Sequence, residues 1–146
     1  MARFRRRWVG ECSARNLLLA RALRVTYTLE MDSQTLHGAC HCAAVTFQVT
    51  KPAFTVACNC SICRRYATLW VHAPPATASV TGATKTYEWG DKDLVFHACA
   101  TCNCITHWSS NRDDKIAVNI RNCPPIQIAE IPVRHFDGAD TWAFLD

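Results

Sequence analysis

The sequence predicts a mainly β domain, built of short strands and turns and stapled by metal ions, and three features predict it. Apolar residues alternate over brief runs instead of recurring at helical spacing after residue 31, Gly and Pro close those runs, and ten cysteines crowd into dense groups in 146 residues. With 49% hydrophobic residues the chain suits one domain with a core of its own, too long to depend on cross-links alone.

The first thirty residues stand apart. They hold seven arginines against Glu11 and Glu30, while the remaining 116 carry nine basic and ten acidic side chains. The formal charge of +4 therefore belongs to the start of the chain. The body has no basic excess, so no nucleic-acid partner is expected for it. The Leu17-Leu18-Leu19 run is broken by Arg21, too short for a secretory signal and far too short to span a membrane. An amphipathic targeting segment has such a composition, but the reading adopted is that residues 1–30 are a disordered extension, with Met31 a candidate true start and residues 31–146 the domain. Without a secretion signal the expected compartment is the reducing cytoplasm, where cysteines serve metal ligation before disulfides.

From Leu36 onward the elements follow one another quickly. Val45, Phe47 and Val49 alternate with Thr46 and Gln48, a strand with one buried face closed by Lys51-Pro52. Phe54 to Ala57 leads into cysteines, and Leu69-Trp70-Val71 reads as a strand stopped by Pro74-Pro75. Ser79 to Thr81 ends at Gly82, Lys85 to Trp89 ends at Gly90-Asp91, and Leu94-Val95-Phe96 runs into a second cysteine group. Ile116 to Ile120 is a further strand, ended by Pro124-Pro125.

The cysteines carry the chemistry. Cys58-Asn59-Cys60-Ser61-Ile62-Cys63 brings three thiols within six residues, and a turn through Ser61 and Ile62 folds Cys63 back towards Cys60 so that one ion can bind all three. So short a segment leaves a coordination position for a distant residue, a water or a substrate, the feature that separates catalytic from structural zinc. Cys40-His41-Cys42 is expected on an extended strand with both sulfurs on one face, and Cys99-Ala100-Thr101-Cys102 is a knuckle. Joined, those pairs form a closed four-sulfur set. Cys104 keeps other partitions open: it can replace a neighbour or supply a fourth sulfur to the second ion, giving two closed structural sites. Cys12 and Cys123 read as inert thiols. His41, His97 and His107 flank cysteines and are expected to support ligands or lie at the surface rather than bind metal.

His37-Gly38-Ala39-Cys40-His41-Cys42 with Ala44-Val45-Thr46-Phe47, then Cys58 to Cys63 with Arg64-Arg65, then Cys99 to Cys102, resembles the glutathione-dependent formaldehyde-activating enzyme family, also called the centromere-protein-V-type domain. The similarity runs from about Leu36 to Trp142, where 137–142 looks like the family's closing strand. The resemblance implies an Mss4-like sheet of short antiparallel strands and two zinc ions. One is structural, on Cys40, Cys42, Cys99 and Cys102; the other is functional, on Cys58, Cys60 and Cys63. It also implies glutathione as co-substrate and carbon–sulfur lyase chemistry, the addition of a small-molecule thiol to formaldehyde or a related aldehyde. Arg64 and Arg65 are placed to pair with the two glutathione carboxylates. Asn103 stands where relatives carry Gly after the knuckle, and it tolerates the φ > 0 that the turn demands. A non-catalytic module with two structural zinc ions that recognises a partner is the competing expectation.

Overall fold

In the computed structural model, which describes residues 34–146, the alternating runs form ten strands. The segment 1–30, Met31 and Cys12 lie outside the described residues. The strands are β1 (Thr35–Ala39), β2 (Thr46–Thr50), β3 (Thr55–Cys58), β4 (Trp70–Ala73), β5 (Ala78–Thr81), β6 (Thr84–Glu88), β7 (Leu94–Cys99), β8 (Ile105–Ser110), β9 (Ile116–Asn119) and β10 (Val133–Phe136). Two one-turn helices, α1 (Cys63–Tyr66) and α2 (Pro125–Ile128), complete the regular structure with short 3-10 turns. No helix among the described residues is long and apolar enough to cross a membrane.

The strands make two sheets, β1-β2-β5 and β10-β3-β4-β9-β8-β7-β6. Alternation decides how they pack. On β2, Phe47 and Val49 are buried while Thr46, Gln48 and Thr50 face out, and Leu36 of β1 lies opposite Val49. These apolar side chains meet Val71 and Ala73 of β4 and Val118 of β9, so the small sheet covers one face of the large one. Trp70, one residue out of step with Val71, faces the other side and packs with Val56, Cys63, Ile105 and Ala117. The chain passes between sheets at Gly82, whose φ is +115° and where a Cβ would stand 2.2 Å from the Ala44 carbonyl oxygen. Only glycine fits both demands.

The mainly β class holds, with differences in detail. The pairs are antiparallel except β10 with β3, which run parallel, an arrangement that needs the long connection separating them in the chain. Cys40-His41-Cys42 is not extended: it forms the β1–β2 turn, closed by Ala43 N–H donating to the Cys40 carbonyl (2.9 Å) with Ala43 at φ 59°. Both sulfurs still reach one point because the turn, not the pleat, directs them. Residues 137–142 are not a strand but a loop; the last strand is β10, and Phe144 returns to bridge Phe136. The unforeseen strand β8 buries Ile105, Thr106 and His107 and leaves Trp108 to Ser110 half-buried, a pattern without alternation that sequence periodicity does not reveal.

His97 and His107 are rungs of that sheet. Their rings stack at 4.0 Å, with Thr84 and Ser109 hydroxyls on the two nitrogens of His97 and the Thr106 hydroxyl on Nδ1 of His107. Burial, followed by the neighbouring His97, holds His107 down to about 4, and burial lowers His97 as well; neither ring belongs to a thiol group.

Candidate metal centres

Two groups of thiols converge among the described residues. In the first, Cys40 and Cys42 come from the β1–β2 turn, Cys99 ends β7, and Cys102 lies in the turn to β8, with all four sulfurs within 4.8 Å of one another. The Cys40–Cys42 and Cys42–Cys99 sulfurs are 3.6 and 3.7 Å apart. A tetrahedron of sulfurs each about 2.3 Å from zinc has edges of about 3.8 Å, so the cage fits the ion. Backbone N–H groups aim at the sulfurs: Val45 donates to Cys40 Sγ (3.2 Å), Thr101 and Cys102 to Cys99 Sγ (3.4 and 3.5 Å). Such donors stabilise sulfur charge. The N–H of Cys104, then that of Cys42, brings Cys102 down to about 5. The knuckle closes through Asn103 at φ 61°, its N–H on the Cys99 carbonyl (3.0 Å), as its side chain allows.

Cys104 packs beside this first group, against Cys40, Val45 and Cys99, and is not part of the second. The partition into two closed four-sulfur sites therefore has no geometric support. Cys123 is buried in the core between the sheets, where desolvation pushes its thiol up to about 12. It is inert.

The second group is Cys58 at the end of β3, Cys60 in the following loop and Cys63 opening α1. Arg64 N–H donates to the Cys60 carbonyl (3.1 Å), Tyr66 N–H to the Ile62 carbonyl (3.2 Å), and Ala67 at φ 50° ends the turn. This single turn folds Cys63 back onto its partners. Trp70, 2% exposed, donates its indole N–H to Cys63 Sγ at 3.1 Å, so a side chain whose burial contributes about 1.5–3 kcal/mol also fixes a sulfur. Cys60 N–H donates to Cys58 Sγ (3.4 Å). A bond from the Cys63 thiol, helped by the N–H groups of Cys60 and Gly138, brings Cys58 down to about 6, while that same contact and burial push Cys63 well up. Three thiols so close cannot all shed protons unless a cation offsets the charge, and the donor set suits a thiophilic ion such as zinc.

The C-terminal loop closes one side. Asn59, between the first two cysteines of the group, donates to Asp137 Oδ1 (2.8 Å) and accepts from Ala139 N–H (3.0 Å), while Thr141 donates its N–H and hydroxyl to Asp137 Oδ2 (3.1 and 2.8 Å). The Asn59 amide, then Thr141, holds the Asp137 carboxyl down to about 2. This clamp brings Gly138 so close that a Cβ there would lie 2.5 Å from Cys58 Sγ and 3.3 Å from Cys60 Cβ. Gly138→Ala is therefore expected to lower zinc affinity at the three-thiol group by about tenfold or more while the four-thiol group keeps its ion. Zinc retention against a graded chelator measures this; an unchanged second ion would show that the loop yields.

The other side is a groove of about 1200 Å³ whose lining includes all three cysteines, Ser61, Arg65 and Trp70. No fourth His, Cys, Asp or Glu ligand atom among the described residues joins the three within 4.8 Å. Arg65 lines the groove and donates to the Ser61 carbonyl, whereas Arg64 is exposed and not part of the lining. The sequence had not singled out Trp70, Asn59, Asp137 or Gly138 for roles at the site. Asn59 lies inside the cysteine motif itself, the one local signal that could have marked it.

The family model of the glutathione-dependent formaldehyde-activating enzyme matches residues 35–124. A crystal structure of a Rhodobacter sphaeroides protein is similar, with 28% sequence identity and a TM-score of 0.56 over 67% of this chain and 99% of that one. Among curated proteins none matches. The matched segment contains both thiol groups, the knuckle and the indole that holds Cys63, and the chain belongs to the glutathione-dependent formaldehyde-activating enzyme family.

Proposed function

We propose that the chain is a zinc-dependent carbon–sulfur lyase of its family's type, joining the glutathione thiol to formaldehyde or a related aldehyde and, in reverse, cleaving the adduct. One observation carries the reading: three clustered thiols, without a fourth protein ligand among the described residues, open onto a groove large enough for a tripeptide. A zinc ion held by Cys58, Cys60 and Cys63 would supply a position where an entering thiol, ordinarily of pKa about 8.5, is held as the thiolate. The ion on Cys40, Cys42, Cys99 and Cys102 would be structural.

The chain's own groups do the rest. Trp70 and the N–H of Cys60 keep sulfurs 63 and 58 aimed and partly neutralised. The Asn59–Asp137 clamp holds the loop that shields one side. Arg65, on the groove, offers a cation to a glutathione carboxylate; Arg64 stands further out, available only to a tail that leaves the groove. Two reactants held side by side gain over the bimolecular encounter in water. Three thiolates around a dication leave a net charge of −1, which favours delivery of a thiolate over polarising a carbonyl.

With both ions loaded, millimolar glutathione is expected to shift the zinc X-ray absorption edge, and formaldehyde loss is expected to exceed the spontaneous rate. An unchanged edge together with a spontaneous rate would favour the non-catalytic module instead.

A further inference from the structure

Formaldehyde brings a single carbon to the sulfur, yet the sheet face leading away from the thiols is paved with rings. Strand register builds this surface. Tyr87 of β6 lies opposite Phe96 of β7, Phe96 opposite Trp108 of β8, Trp108 opposite Ala117 of β9, and Ala117 opposite His72 of β4. Cross-strand partners share a face, and every member of the row except Ala117 lines the groove. Ala117, fully buried and small, leaves room for the His72 and Trp108 rings to meet across it at 5.4 Å.

The row starts at the thiols. Trp70 donates to Cys63 Sγ at 3.1 Å and its ring lies 6.3 Å from Phe96, so the thiols and the rings Phe96 and Trp108 line one continuous groove. At the outer end Trp89, in the turn after β6, is 78% exposed and also lines the groove. Scattered exposed rings are ordinary, but a continuous aromatic surface that begins at a cluster of thiols is a binding surface. The charged groups on the lining are Arg65, Asp91 and Lys115, and the last is engaged by Asp113 at 2.6 Å.

We propose that the aldehyde taken by this site carries an aromatic or bulky apolar group, which lies over Phe96 and Trp108 and against Trp89 while its carbonyl carbon meets the thiol. The inference rests on the thiol-plus-aldehyde reading above. The S–H adds across C=O: a C–S bond forms, the carbonyl π bond breaks, and the thiol proton ends on oxygen, with nothing oxidised or reduced. A one-carbon aldehyde gains nothing from the rings, whereas a phenyl group gains both burial and stacking.

Calorimetric titration of the zinc-loaded full chain with S-methylglutathione and S-benzylglutathione, stable stand-ins for the small and the aromatic adduct, tests this directly. The benzyl conjugate is expected to bind about tenfold tighter or more. Trp89→Ala, at an exposed position, is expected to cut that ratio several-fold, and Phe96→Leu to do the same from the floor of the groove. Equal affinities for the two conjugates would overturn the aromatic-aldehyde proposal and leave the thiol-plus-aldehyde reading standing. A benzyl preference untouched by both substitutions would also overturn it, placing the ring elsewhere. Failure of both conjugates to bind, with formaldehyde lost only at the spontaneous rate, would remove the underlying reading and this proposal with it.

Discussion

Cys99→Ala is expected to abolish the folded state. Cys99 is fully buried between Cys40 and Val45, and its sulfur belongs to the cage that joins the β1–β2 turn of the small sheet to the β7–β8 turn of the large one. Those two sheets share no ladder of hydrogen bonds. Their attachment rests on the core around Val49, Val71 and Val118, on the three chain crossings β2–β3, β4–β5 and β5–β6, and on this cage. Structural zinc contributes roughly 10–16 kcal/mol of apparent binding free energy in small zinc domains, against a net stability of about 5–15 kcal/mol for a typical domain. Removing one of four thiolates forfeits most of the former and leaves three sulfurs facing one another without a full cage. Far-ultraviolet circular dichroism and a thermal melt should show loss of β signal and of cooperativity, with the protein insoluble or zinc-free. A Cys99→Ala protein that melts within a few degrees of wild type would mean that the cage is not structural.

Cys60→Ser is expected to give the opposite pattern, a folded protein without function. Cys60 is half-buried in a loop and packs only on the edge of the core formed by Val56, Cys63, Trp70, Ile105 and Ala117. Its loss should cost stability of only about 1–2 kcal/mol. Two thiols are too few to retain the second ion, so zinc per chain should fall from about two to about one. The edge response to glutathione should vanish, and formaldehyde consumption should drop to the spontaneous rate. Because the two ligand sets come from different segments, the first ion should be unaffected. Activity that survives loss of the ion would place the chemistry elsewhere; loss of both ions would show that the sites are not independent.

The contrast between these two substitutions reflects how much was written locally. Spacing within Cys58 to Cys63 and within Cys99 to Cys102 is a property of a few consecutive residues, and so is the alternation of Phe47 and Val49 with Thr46 and Gln48. Both the grouping of sulfurs into four and three and the mainly β class were legible for that reason. The turn at Asn103 was legible too, since its φ of 61° follows from side-chain tolerance at a single position. Local reading failed where the chain departs from local rules. The Cys40-Cys42 pair turns instead of extending because Ala43 takes a left-handed conformation, and residues 137–142 loop because Asp137 is captured by Asn59, 78 residues away. Strand β8 escaped notice because half of its side chains are buried regardless of face, including a histidine satisfied by a neighbouring hydroxyl.

By itself, then, the sequence determined the count of thiols in each group, the short-strand architecture and the resemblance that led to the family. Tertiary structure decided what those thiols face. Strand register, which depends on pairings between distant segments, brought Phe96, Trp108 and His72 into one row and set Trp70 against Cys63. Loop closure put Gly138 against Cys58, assigned Arg65 rather than Arg64 to the groove, and left Cys104 beside the four-sulfur group. Each of these contacts joins residues far apart in the chain. They are fixed only when the apolar faces of two sheets are buried together, a global condition that no window of neighbouring residues contains.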